Sequence, residues 1–237
     1  MVSILFLGFL LGLRHAVEAD HIAAVASLSS RSASVWEGVQ QGAAWGLGHT
    51  ITLFLFGSIV LFVANIVPEQ VVHGIEFTVG IMLIILGGDV LRHVIRDRVH
   101  FHIHSHNNSS GQDMSHFHAH SHKGEKKREH NPASHHHAHP RGFPIRALAV
   151  GLMHGMAGSA ALILLTLQTL SSPWLGLVYI AVFGVGSIAG MALLSIIIAV
   201  PLRAARHMTL VYNGLQTTIG VATIVLGTVI LIQNTSA

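Results

Sequence analysis

Between residues 14 and 21 the chain reads Arg14-His15-Ala16-Val17-Glu18-Ala19-Asp20-His21, a run dense in ionisable and metal-ligating side chains. It lies inside an apolar stretch, residues 2–28, that is long enough to cross a bilayer. An ionisable side chain at such a depth costs roughly 2.5–3.5 kcal/mol, so each one needs a compensating role. Arg14 and Glu18 are four residues apart and can pair on one helix face, which nearly cancels their charges. His15, Asp20 and His21 remain. Two imidazoles and a carboxylate are a donor set suited to a divalent first-row metal ion; the alternative is a polar network that merely ties helices together. On an unbroken helix His15 and Asp20 would point about 140° apart, and Asp20 and His21 about 100° apart. Three donors so placed cannot converge. Either the helix unwinds here, or one of the three only orients another.

Two further motifs place imidazole among small residues. Gly46-Leu47-Gly48-His49-Thr50 combines close-packing glycines with His49, read as a ligand, and Thr50 beside it. Gly151-Leu152-Met153-His154-Gly155-Met156 is followed by Ser159. His154 is read as a residue of the metal path and Ser159 as a polar neighbour, while Met153 and Met156 read as core packing. Glu76 and Asp89 are the other acids within apolar stretches and are candidate path residues. Asp89 has Arg92 and His93 three and four positions further on and can pair with either. A hydrophilic insert, residues 97–143, holds a dense group of histidines: His100, His102, His104, His106, His116, His118, His120, His122, His130, His135, His136, His137 and His139. This composition binds metal. It would buffer, sense or hand over the ion, unless the insert is a plain solvated spacer.

Something must hold these donors in place. The chain has 237 residues, 51% of them apolar and 10% charged, against about 25% charged in a soluble domain. Six stretches are long and apolar enough to span a membrane: 2–28, 39–64, 74–95, 144–169, 175–200 and 210–232. The expectation is an all-α polytopic membrane protein with six transmembrane helices. Residues 1–96 and 144–237 would carry three helices each, with 97–143 a flexible loop between them. Arg14 follows the first apolar run rather than preceding it, so this run reads as a span and not as a cleaved leader. Cysteine is absent, which excludes disulfides and thiolate metal sites. The sequence pI is 9.8, yet this does not mark a nucleic-acid binder. Of the 13 Lys and Arg, all except Arg14 fall on one side of the expected membrane, in or beside the loops after the first, third and fifth spans. By the positive-inside rule that side is cytoplasmic. Both termini then face outward, and the histidine-rich loop lies in the cytoplasm.

The two halves resemble each other. Gly12-Leu13-Arg14-His15 matches Gly151-Leu152-Met153-His154 at an offset of 139. Gly46-Leu47-Gly48-His49 matches Gly184-Val185-Gly186-Ser187 at 138, and Gly74, Gly80 and Gly87 match Gly214, Gly220 and Gly227 at 140. A unit of three spans is odd, so its copy enters the membrane from the opposite face. That is the inverted-repeat plan of secondary transporters, whose site sits where the repeats meet. His15 and His154 are then expected to face each other across the centre.

Arg14-His15-Ala-Val-Glu18-Ala-Asp20-His21-Ile22 resembles the signature of the nickel/cobalt transporter family, and Gly48-His49-Thr50 resembles that family's second motif. Along its whole length the chain is most similar to the family's short urease-accessory nickel permeases. The resemblance implies transport of Ni²⁺ or Co²⁺ as substrate across the cytoplasmic membrane, without an organic cofactor, to supply nickel enzymes. Metal ion, lipid bilayer and cytoplasmic metallochaperones are the implied partners. It makes His15, Asp20, His21 and His49 the metal residues. Longer members carry eight spans and further acidic motifs that this chain lacks, and its histidine-rich loop is similar to that of related efflux proteins. The competing readings are efflux, an intramembrane metalloenzyme and a metal sensor. No His-Glu-x-x-His pair or nucleophile-and-base constellation speaks for an enzyme. Deletion of residues 100–139 tests the sensor reading: a permease is expected to keep part of its nickel uptake, measured with radioactive nickel, whereas a sensor loses its activity.

Overall fold

The computed structural model describes residues 2–30, 32, 34–63, 69–96, 100–107, 113–120, 143–155 and 172–235. These form helices α1 (Val2–His15), α2 (Ala19–Ser29), α3 (Val35–Val63), α4 (Glu69–Arg96), α5 (Ile145–His154), α6 (Pro173–Ala204) and α7 (Thr209–Thr235), together with strands β1 (His100–Asn107) and β2 (Asp113–His120). Two compact units result: residues 1–91 with 143–237, and residues 92–142.

The first unit is helical in all its described regular elements, as the apolar runs require. Large apolar side chains such as Phe6, Leu55, Ile85, Ile197 and Leu210 face outward. In water that would be an aggregation hazard, but in a bilayer it is the lipid face. Among the described residues four helices are long and apolar enough to span: Val35–Ile59, His73–Arg96, Pro173–His207 and Thr209–Thr235. Two shorter apolar helices, Ser3–His15 and Ile145–His154, accompany them. The count differs from six for two reasons. The first expected span is broken after His15, and the fourth is described only as far as Gly155. Pro173 opens α6 at a first-turn position, where its missing N–H costs no helical hydrogen bond.

Helices pack by bringing backbones together at glycine. A methyl group on Gly151 would collide with the Trp45 carbonyl, and one on Gly12 with the Phe183 carbonyl. Gly12 and Gly151 are a repeat pair, and Trp45 and Phe183 are separated by the offset, 138, that relates Gly46 to Gly184. The same reciprocity joins α4 to α7. A methyl on Gly87 would meet the Gly220 carbonyl, and one on Gly227 the Gly80 carbonyl. Around these contacts the core gathers Ala24, Val25, Trp45, Leu83 and Met191. Hydroxyl and amide side chains add links between helices. Thr52 Oγ1 donates to the Leu152 carbonyl at 2.9 Å, and Gln216 Nε2 donates to the Ser30 carbonyl at 3.0 Å.

The second unit differs from expectation. Part of the insert read as a flexible loop forms an antiparallel hairpin in which His100 stands opposite His120, His102 opposite His118 and His104 opposite His116. The reason lies in the sequence: histidine alternates with Phe101 and Ile103 on one strand and with Phe117 and Ala119 on the other. Period-two alternation is a strand pattern. His122, His130, His135, His136, His137 and His139 lie outside the described residues.

Adjacent glycines on α4 offer a test of this packing. Gly87 abuts α7, while a methyl at Gly88 meets nothing within 4 Å. Gly87→Ala is expected to destabilise the protein by about 1–3 kcal/mol through overpacking. Gly88→Ala should be neutral, or stabilising by up to about 1 kcal/mol through helix propensity. Thermal melting of the detergent-solubilised variants reads the difference.

Candidate metal centre

The centre begins with the interruption of the first apolar stretch. α1 ends at His15, and Glu18 adopts an extended conformation (φ −66°, ψ 149°) just ahead of α2. Backbone groups freed by the break are satisfied locally. Val17 N–H donates to the Arg14 carbonyl at 3.0 Å, Glu18 N–H to that of His15 at 3.1 Å, and Ile22 N–H to that of Glu18 at 2.9 Å. This closure keeps the break affordable in a low-dielectric setting. It also answers the geometric question raised by the spacing. The end of α1 and the first turn of α2 are no longer bound to one helical screw, so His15, Asp20 and His21 can meet.

They meet His49 from α3 and His154 from the end of α5. All four imidazoles are buried, with His49 and His154 at 0% exposure. His15 Nε2 lies 3.2 Å from His49 Nε2. The His21 ring stands 4.2 Å from that of His15 and 4.5 Å from that of His154, centre to centre. His15 and His154 thus each pack against the His21 ring. The donor atoms form two overlapping triads, His15–His21–His49 and Asp20–His21–His154, each with its atoms within 4.8 Å of one another.

The carboxylates set the imidazole tautomers. His21 Nδ1–H donates to Asp20 Oδ1 at 2.8 Å, which leaves the lone pair on His21 Nε2. That atom is buried and has no hydrogen-bond partner among the described residues. His15 Nδ1 lies 3.0 Å from Glu18 Oε1, so the lone pair of His15 sits on Nε2, towards His49. His154 Nε2–H donates to Asp20 Oδ2 at 3.0 Å. Asp20 thus braces His21 and His154 at once. Both routes open at the sequence level are present together: the helix unwinds, and one of the three residues orients another. A buried imidazole nitrogen with a lone pair and no donor facing it carries a desolvation cost. A divalent cation at His15 Nε2, His21 Nε2 and His49 would relieve that cost and fits this donor chemistry.

The other expected residues fall as follows. Glu18 turns to His15 and not to Arg14, because the helix ends before the i, i+4 relation can form; Arg14 is exposed. Thr50 Oγ1 donates to the Gly184 carbonyl at 3.3 Å, a packing contact between α3 and α6. Asp89 joins neither triad among the described residues. Glu76 bonds to Asn234. Ser159 lies outside the described residues, and nothing is described of the side chains of His100, His102, His104, His106, His116, His118 and His120. Two aromatic residues escaped the sequence reading. Trp45, wholly buried, sets its ring 5.1 Å from His21 and 5.4 Å from His154. Phe183 lies 5.4 Å from His15. Trp45 precedes His49 by four residues, hence on the same helix face, and that spacing was the available signal.

The chain matches, over residues 1–237, the model of a family described as high-affinity nickel-transport protein (NicO). It is 32% identical over 215 residues to the urease accessory protein UreH of Bacillus sp. (strain TB-90), an alignment covering 90% of this chain and 84% of that protein. No solved structure matches.

Asp20→Asn keeps the shape of the brace but removes its charge and one acceptor. It is expected to weaken Ni²⁺ binding to the purified protein by about 10–100-fold, with little change in metal-free melting temperature. Isothermal titration with nickel measures the first, and a thermal scan the second.

Proposed function

The chain belongs to the NicO family of high-affinity nickel-transport proteins, and on that premise we propose that it carries Ni²⁺ inward across the cytoplasmic membrane through the cluster of His15, Asp20, His21, His49 and His154. It is a membrane transporter and not an enzyme. The observation that carries the reading is the convergence of four buried imidazoles, three of them braced by carboxylates, at a break in an apolar helix. Such a site costs stability in lipid and has no evident purpose in a passive scaffold.

A six-span inverted repeat gives this site its setting, with each half contributing three spans. The reciprocal glycine contacts support it: Gly12 against Phe183 and Gly151 against Trp45 exchange under a swap of the halves, as do Gly80 with Gly227 and Gly87 with Gly220. The Lys and Arg distribution puts both termini outside and residues 97–143 in the cytoplasm. In this arrangement the ion sheds part of its water as imidazole nitrogen replaces it. Glu18 and Asp20 hold His15 and His21 in the tautomers that offer Nε2. A rocking of one half against the other then opens the cluster to the cytoplasm. Entry of a divalent cation with the membrane potential is downhill by about 4.6 kcal/mol per 100 mV, twice the single-charge value. Inside, the histidine-rich segment and metallochaperones receive it. Co²⁺ is the alternative substrate that the same donor chemistry suits.

Substitution of the cluster tests the reading. His15→Ala and His21→Ala, made separately, are each expected to reduce uptake of radioactive nickel by intact cells to background, with protein amounts unchanged by immunoblot. Nickel and cobalt contents equal to wild type in both variants would overturn it. Accumulation in everted vesicles, with none in intact cells, would reverse the direction to efflux.

A further inference from the structure

A second polar group lies apart from the histidine triads, where α4 begins and α7 ends. His73 and Glu76 are three residues apart on α4, hence on one helix face, and both reach Asn234 of α7. His73 Nδ1–H donates to Asn234 Oδ1 at 2.8 Å, and Asn234 Nδ2 donates to Glu76 Oε2 at 3.1 Å. One amide thereby fixes two neighbours. Its carbonyl holds the His73 proton on Nδ1 and leaves the lone pair on Nε2. Its NH₂ engages one carboxylate oxygen and leaves the second oxygen of Glu76 for another partner. An imidazole nitrogen and a carboxylate oxygen held by one amide are a donor set suited to a first-row divalent cation, whereas Mg²⁺ and Ca²⁺ favour oxygen alone.

These three residues line a cavity of about 240 Å³ whose wall also includes Val79, Ile230 and Asp20. Asp20 is the brace of the histidine cluster, and its side chain is 24% exposed. The cavity therefore joins the polar group at the helix ends to the rim of the cluster. It has room for several waters, each of which takes about 30 Å³ in the liquid, so a cation can enter it still hydrated. Two carboxylates along the wall, Glu76 and Asp20, favour positive charge.

We propose that His73, Glu76 and Asn234 form a capture site in this vestibule, where a hydrated first-row divalent cation is held before it passes to Asp20 and the histidine cluster. The proposal rests on the transport reading above, which makes this the outer face. Capture by two donors and water is weak by design: the ion must leave inward, so the site acts on the concentration dependence of transport and not on its ceiling.

The natural absence of cysteine supplies a direct test. Ile230→Cys places a single thiol in the cavity wall. A membrane-impermeant thiol reagent applied to intact cells is expected to label it, and Ni²⁺ to slow the labelling several-fold. Adding His73→Ala or Glu76→Gln should remove the protection. Failure to label from outside, or labelling that nickel does not slow, overturns the proposal. An independent readout comes from initial rates of nickel uptake. Glu76→Gln, which keeps the bond from Asn234, should raise KM about tenfold, equivalent to about 1.4 kcal/mol, and leave the maximal rate within about a factor of two. An unchanged KM, or a lost maximal rate at unchanged KM, overturns it. The two readings separate cleanly: nickel protection of the thiol in a protein that moves no nickel supports the capture site and sinks the transport reading, and transport without protection does the reverse.

Discussion

A helix interrupted inside a membrane is the constraint from which the rest of this structure follows. Hydrocarbon cannot satisfy freed backbone groups, so a break is tolerated only where the chain closes its own hydrogen bonds or meets protein or water. Residues 16–18 meet this condition through short-range bonds to the Gly12, Arg14 and His15 carbonyls. In return, two consecutive pieces of helix can aim at one point. His15 arrives from the end of one and Asp20 with His21 from the start of the next, a convergence that a continuous helix of 3.6 residues per turn forbids. The break is the reason His15, Asp20 and His21 gather in one cluster here instead of pointing to three faces.

Carboxylates then fix where the imidazole protons sit. Neutral imidazole has one lone pair, and its position depends on where the proton is held. Glu18 holds that of His15 at Nδ1, and Asp20 holds that of His21 at Nδ1. Both Nε2 atoms are therefore prepared as donors. Trp45 and Phe183 pack beside these rings. The same device recurs at His73, where an amide performs the office of the carboxylate.

Close packing makes the assembly affordable, and here the two halves of the chain are alike until the centre itself. Gly12 and Gly151 press against the carbonyls of Phe183 and Trp45 in the same manner, yet the counterpart of His49 is Ser187, buried and without a hydrogen-bond partner among the described residues. The first half brings His15, Asp20, His21 and His49, and the second brings His154. The packing contacts pair up between the two halves because backbone approach depends only on small residues, whereas the buried imidazoles come mostly from the first half.

Hydropathy and the side-chain types able to act as donors are legible in the sequence, since each is a local or additive property: a run of some twenty apolar residues suits a bilayer, and imidazole is a ligand type suited to transition metals. The break after His15 was legible as one of two alternatives, because the angular spacing of His15, Asp20 and His21 demands either unwinding or a supporting role. What the spacing could not supply was distance. Arg14 and Glu18 stand in a pairing register that the actual end of α1 dissolves, and the strand-like alternation at His100–His104 is masked by a composition that reads as solvated loop. His49 and His154 lie far along the chain from His21, and Asn234 lies far from His73. Whether such residues stand a few ångströms apart or on opposite faces depends on which helices neighbour which and on how closely glycine lets them approach. That is a property of the packed molecule, decided only when the backbones come into contact.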